Sequence, residues 1–350
     1  MIAAAVFLTG CGAIIGPEKL EHERQDFNVA LQQTNDEQML LNLVRMKYRD
    51  TTMFLEVSAI ASQYALTGSI SGSGSLTDNF SNSIGLGSRI EYQEKPTISY
   101  TPLHGQKFIT RLLSQVDPHT LNLLFKSGWS VERLFALCIE DLNGLKNTPS
   151  ASGPTPEYVP EYKEFQKLIA SLRELQKHGG VAFDVVKTGE EVALAFRFTE
   201  RADSDVKKEI QQALKMGDKD VYLFTTNRMD KDNISFETRS IREMLFFLSQ
   251  AVEVPSCHKN SGKVTITKDE NGREFDWNEV SGQLMKVKST ANPIPPINAY
   301  VSVRYRNHWF YIEDNDLNSK STFSLLVQLY DLQSGDSKGS APLLTLPIGG

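Results

Sequence analysis

Between Ser62 and Tyr92 the chain alternates small polar with apolar residues at a period of two, the signature of β-strands with two unlike faces. Tyr64, Leu66, Ile70 and Leu76 share one parity with Gly68, Gly72 and Gly74, while Ser69, Ser71, Ser73 and Ser75 take the other. The return half repeats this with Ile84, Leu86, Ile90 and Tyr92, and Asp78-Asn79 with Ser81-Asn82 supply turn chemistry between the halves. The pattern predicts a β-hairpin over 62–92 whose Leu66, Ile70, Ile84 and Leu86 form a candidate assembly face. Each half is about ten residues, the length of a tilted strand crossing an outer membrane. A single hairpin would leave its edge N–H and C=O groups unsatisfied in hydrocarbon, so insertion requires a ring of subunits. A Gly/Ser-rich soluble hairpin or surface loop fits the same residues, and the weak signal of each strand favours it.

Around this segment the periodicity is helical. Glu21 to Gln33 has helical composition, and Thr34-Asn35-Asp36-Glu37 reads as the cap of a second helix with an apolar stripe of Met39, Leu40, Leu43, Val44 and Met46. After a short strand at Thr97 to Tyr100 come three helices: Gln106 to Leu113, one opened by Asp117-Pro118, and one capped by Ser130 and ended at Gly144 to Asn147. Pro149, Pro154, Pro156 and Pro160 then read as a stiff linker. Beyond it, a helix from Glu161 to His178 leads into strands Val181 to Val186 and Val192 to Phe198. A helix from Asp205 to Leu214, strands at Val221 to Thr225 and Ile234 to Glu237, and an apolar helix from Ser240 to Val252 follow. Further strands are expected at Lys263 to Thr267, Leu284 to Lys288, Tyr300 to Tyr305 and Trp309 to Ile312, then a helix from Ser321 to Leu332 and an edge strand at Leu343 to Pro347.

The expected fold is α+β: an N-terminal, mainly helical part with a Gly/Ser-rich β-hairpin, then a mixed α+β domain. The expected divisions are 1–10 signal peptide, 11–20 lipid anchor and tether, 21–147 helical domain, 148–160 linker and 161–350 α+β domain. The chain has 350 residues, 40% of them hydrophobic, which is enough for two packed cores. Its net charge of −6 is spread without blocks of one sign and argues against a nucleic-acid partner.

Leu8-Thr9-Gly10-Cys11 adds an address. A short apolar run leading to a small residue, Gly and Cys is the pattern of a bacterial lipoprotein signal peptide cut before its lipid-carrying cysteine, which makes Cys11 the expected lipidation site. No Lys or Arg precedes the run, so the true start of the peptide is expected upstream. Gly12 supplies no acidic retention signal, so the expected place is the outer membrane, lipid-anchored and facing the periplasm. Cys138 and Cys257 are expected as separate thiols, Cys138 in an apolar helix face.

No catalytic, cofactor or metal signature stands out. Gly68-Ser69-Ile70-Ser71-Gly72 places Ile70 where a nucleophile elbow needs Ser, and no phosphate-loop ending follows. Asp314, Asp316 and Asn318 imitate the start of a calcium loop, but Ser319 replaces its Gly and Leu325 its Glu, so a turn with helix caps is expected. Glu313, Asp314 and Asp316 beside Trp309 and Tyr311 fit a sugar-binding rim less well than a folded hairpin and turn. The histidines His22, His104, His119, His178, His258 and His308 show no zinc spacing.

Several separated stretches carry a resemblance: Asn35 to Arg45, Pro96 to Leu103, Thr238-Arg239-Ser240, Tyr305 to Ile312, Ser319 to Phe323 and Leu344 to Pro347. Together they resemble a widespread family of proteobacterial lipoproteins of uncharacterised function. The resemblance implies a lipid-anchored envelope protein and carries no catalytic residues with it. The expected function is therefore a scaffold or interaction role in an envelope assembly, without catalysis or cofactor. Expected partners are the membrane through the N-terminal lipid, other envelope proteins and further copies of the chain. Two alternatives stay open: the outer-membrane core of a secretion system such as the Dot/Icm type IV machine, and an enzyme acting on cell-wall or surface polymers.

Overall fold

The computed structural model describes residues 17–75, 83–154, 156–188, 191–225 and 231–334. The fold is α+β, and the chain divides into two compact units. One comprises the residues up to Thr52 and those from Ile109 to Ser334; the other runs from Met53 to Phe108.

The larger unit begins with one helix, α1 (Pro17–Lys47), where two were expected. The polar residues that read as a cap lie inside it. Thr34 Oγ1 donates to Leu31 O at 3.0 Å and Gln33 Nε2 to Glu37 Oε1 at 3.0 Å, uses compatible with a continuous helix. Asp36 is buried and accepts from Tyr300 Oη at 2.9 Å, so its carboxylate serves a tertiary bond and not a helix start. From Arg24 to Asn35 the helix is mostly solvated; from Met39 to Met46 it enters the core.

A six-stranded sheet follows, in the order β4-β3-β8-β7-β6-β5. Its strands are β3 (Ile139–Leu142), β4 (Leu145–Lys146), β5 (Val181–Thr188), β6 (Glu191–Phe198), β7 (Val221–Thr225) and β8 (Asn233–Thr238). All neighbours are antiparallel except β7 and β8. Phe183, Phe196, Phe224 and Phe236 give the sheet a ring-lined face, met by Phe125 of α3 (Pro118–Lys126), stacked 4.0 Å from Phe183. Phe135 of α4 (Val131–Cys138) meets Phe183 edge-on at 5.9 Å.

This sheet corrects two expectations. The helix capped by Ser130 stops at Cys138, because Ile139 and Leu142 are drawn into β3 beside β8, and Arg239 N donates to Cys138 O at 2.7 Å. The sheet also joins strands from both sides of 148–160, so that segment is no domain boundary. Its first residues are part of the core: Thr148 and Ala151 are fully buried, and Thr148 N donates to Glu161 O at 2.8 Å. Arg239 is the cause. Its buried guanidinium donates to the carbonyls of Ala136 and Leu137 at 3.1 Å each, to Asn147 O, to Thr148 Oγ1 at 3.1 Å and to Ser152 Oγ at 3.0 Å.

Helix α7 (Ile241–Ser249) starts with a capping box, Glu243 N to Ser240 Oγ at 3.3 Å and Ser240 N to Glu243 Oε2 at 2.6 Å, and is buried almost all round. A second sheet, β10-β11-β9, is formed by β9 (Lys288–Thr290), β10 (Ala299–Tyr305) and β11 (His308–Glu313). The stretch expected as a strand over 284–288 instead lies between a short helix, Ser281–Leu284, and β9, and Lys263 to Thr267 forms no strand. The last described helix, Leu317–Ser334, contains the expected one. The terminal strand expected at 343–347 lies outside the described residues.

In the smaller unit, β1 (Leu55–Ser75) and β2 (Ser83–Pro102) make one antiparallel hairpin, paired from Leu55 with Pro102 to Ser75 with Ser83. It absorbs the short strand expected at Thr97 to Tyr100 and is about half as long again as the expected 62–92. A bulge at Ser58, whose Oγ donates to Ser99 O at 3.2 Å, separates base from shaft. Phe54 and Phe108, 6.0 Å apart edge-on, are buried at the base.

Candidate functional site

The C-terminal turn of α1 gathers polar and aromatic side chains from three separate stretches of the larger unit. The helix ends with Arg49 in the left-handed region at φ 59 and Asp50 N reaching back to Arg45 O at 2.9 Å, a Schellman-type closure without glycine. This geometry sets Lys47, Tyr48, Arg49 and Asp50 on different sides of one turn. Tyr48 Oη is 2.7 Å from Nδ1 of His258, a buried residue of the short helix Ser256–Asn260. The rings of His258 and His308 lie 4.7 Å apart, edge to face. Asp50 accepts from Arg306 Nη2 at 2.7 Å and from Tyr305 Oη, and the Arg306 guanidinium lies 5.0 Å over the Tyr48 ring.

Arg306 and Asn307 form the two-residue turn between β10 and β11, both with positive φ, 47 and 66. Such a turn favours residues tolerant of the left-handed region. Its Arg is held by the ion pair to Asp50. Burial pushes the Tyr48 hydroxyl up to about 12 and the His258 imidazole below its ordinary value, with Lys263, His308 and Arg306 adding to the latter. A neutral phenol on a neutral imidazole is a locked hydrogen bond and not an activated acid–base pair at neutral pH.

Beside it, Lys47, Gln250, Lys259, Thr265, Glu274 and Trp277 line a cleft of about 490 Å³. Lys47 is half-buried and donates to Gln250 Oε1 at 2.8 Å; the nearby Glu274 carboxylate is taken by Lys259 at 2.5 Å. Burial pulls the Lys47 ammonium down to about 8, with Lys259 adding and Glu274 opposing. The cleft can offer a cation to an anionic group and an aromatic edge to a ring. Sequence spacing hides this site: Tyr48, His258 and Tyr305 are separated by more than two hundred and by tens of residues, and only the clustering of Tyr305, Arg306 and His308 was visible.

The expected calcium-like residues have other employment. Asp316 accepts from Ser319 N at 3.0 Å and Ser319 Oγ at 2.6 Å, Asn318 Oδ1 accepts from Arg133 at 2.7 Å, and Asp314 pairs with Lys320 at 2.6 Å. Among the described residues no group of His, Cys, Asp and Glu could hold a metal ion. Cys138 and Cys257 are free thiols, and burial pushes the Cys138 thiol up to about 12. Cys11 lies outside the described residues.

The four hairpin positions are brought together by register. Leu66 is opposite Tyr92, Ile70 opposite Ser88, Leu86 opposite Gly72 and Ile84 opposite Gly74, so all four occupy positions of one face. No family model, curated protein or solved structure matches the chain.

Proposed function

We propose that the protein is a lipid-anchored envelope lipoprotein, held through Cys11 at the outer membrane on the periplasmic side, whose task is assembly with other envelope proteins and with its own copies. It acts as an interaction or scaffold component and performs no catalysis. One observation carries this reading: a two-stranded sheet with strands of 21 and 20 residues that no third strand joins among the described residues. An isolated pair of strands is marginally stable in water, and open edges are templates for another chain. Ile98 and Tyr100 near the base, 42% and 55% exposed, add apolar surface beside those edges. Strand addition would satisfy the edge groups and cover that surface.

The test is deletion of residues 68–87 followed by native electrophoresis of detergent-extracted envelopes. Complexes should disappear while the remaining protein keeps its cooperative unfolding transition. Complexes of unchanged size after the deletion would overturn the reading.

A further inference from the structure

We propose that the Leu55–Pro102 hairpin is one pair of staves in a closed β-barrel that several copies of this chain build across a lipid bilayer, enclosing a water-filled pore. The inference rests on the assembly reading and specifies what the assembled strands do.

From Tyr64 opposite Glu94 to Ser75 opposite Ser83 the ladder is unbroken, and its 12 successive pairs span about 40 Å at about 3.3 Å each. Tilted by about 40°, that length rises about 30 Å, which covers the roughly 25 Å apolar band of an outer-membrane barrel.

The register assigns every residue of the ladder to one of two faces. In an antiparallel ladder, opposed residues share a face and successive residues alternate. One face takes the pairs Tyr64/Glu94, Leu66/Tyr92, Gly68/Ile90, Ile70/Ser88, Gly72/Leu86 and Gly74/Ile84, with its one charge, Glu94, in the outermost pair. The other takes Thr67/Glu91, Ser69/Arg89, Ser71/Gly87, Ser73/Gly85 and Ser75/Ser83. Arg89 and Glu91 thus fall on the hydroxyl-rich face, and Glu94 lies at the end of the ladder. Tyr64 and Tyr92 stand at one end of the apolar face, where barrels carry interfacial aromatics. A soluble hairpin has no need for five successive uncharged pairs on one face, from Leu66/Tyr92 to Gly74/Ile84.

In hydrocarbon every backbone N–H and C=O must be bonded, and two strands leave two open edges. Copies of the same hairpin, added edge to edge, are the occupant that satisfies both edges at once. The smallest such barrels have roughly eight strands, hence roughly four copies or more. Lipid then covers the Leu66 face, and the Ser69 face lines the lumen.

The experiment uses the full lipidated chain, extracted from envelopes, with Cys257→Ser to remove the exposed thiol. Single substitutions Leu66→Cys, Ile70→Cys, Thr67→Cys, Ser69→Cys and Ser71→Cys each carry an environment-sensitive fluorophore. The protein is reconstituted in vesicles of phosphatidylethanolamine and phosphatidylglycerol. Positions 66 and 70 should shift to the blue and be quenched severalfold more by spin-labelled acyl chains than 67, 69 and 71, which should be quenched by iodide instead. Vesicles holding the undeleted protein should pass small ions, and deletion of 68–87 should abolish the conductance. Equal iodide quenching at all five positions, with native complexes still lost on deletion, would overturn the barrel and leave the assembly reading standing. Complexes that persist after deletion would overturn both.

Discussion

The guanidinium of Arg239 lies 4.3 Å from the centre of the Phe247 ring, and its donors reach outward to the main chain between Ala136 and Asn147. The contact couples the start of the buried helix α7 to the loop that follows β4. Burial lowers the Arg239 pKa to about 10, still far above neutrality, so the charge stays and is balanced by carbonyl and hydroxyl dipoles. Glu140 and Glu243 stabilise it further at longer range.

Replacing Arg239 with Met should therefore orphan several buried carbonyls at about 1–3 kcal/mol each, a total on the order of 3 kcal/mol or more. Arg239→Lys should recover little, because one ammonium cannot reproduce five fixed donors. Urea denaturation measures both. In the unaltered protein, limited proteolysis should spare residues 148–153; in Arg239→Met it should cut there early. Early cutting in the unaltered chain would restore the linker reading.

Lys47 makes stability depend on pH in a stated direction. Its folded pKa of about 8 lies below the ordinary 10.5, so between these values the unfolded chain holds a proton that the folded one has lost. More protons on the unfolded side means that stability rises with pH through that window. Thermal unfolding at pH 7.5 and 9.5 should show the rise, smaller in Lys47→Met. Above pH 10 the raised Tyr48, Tyr162 and Tyr300 hydroxyls act oppositely, so the comparison stops short of their range.

The Tyr48–His258 bond should contribute about 1 kcal/mol, and Tyr48→Phe should lose it. His258 titrates below its ordinary 6.5 in the folded state. As pH falls past 6.5 the unfolded chain gains a proton first, and stability declines. His258→Phe should flatten that acid limb. An imidazole resonance of His258 that titrates at or above 6.5 would contradict the buried, neutral assignment.

How far the sequence could be read follows from where each cause lies. Helices α3, α4 and α7 announce themselves through Asp117, Ser130 and Ser240, whose caps act within three residues. The β5–β6 pair is equally local, its alternation running through both Val181–Thr188 and Glu191–Phe198. The errors have distant causes. Asp36 reads as an acidic residue of a helix start because Tyr300, which binds it, is 264 residues away. The prolines after Asn147 read as a linker because Arg239, which holds Thr148 and Ser152, lies about ninety residues downstream. His258 and His308 were counted as scattered because a sheet, not a spacing, sets their rings side by side. In the hairpin the period-two alternation located the strands and the shared face of Leu66, Ile70, Ile84 and Leu86, but glycine and proline hid how far the ladder extends.

The first turns of α1 also work as a ruler. From Pro17 to Asn35 it is a continuous helix of 19 residues, about 28 Å long at 1.5 Å each. Helix stiffness turns that length into a stand-off: under the anchoring proposed above, the Asp36–Tyr300 contact would be held up to about 28 Å from the start of the rod. Under that proposal the rod sets how far the body of the larger unit can reach from the lipid surface, and inserting or deleting two helical turns should change which neighbours it reaches.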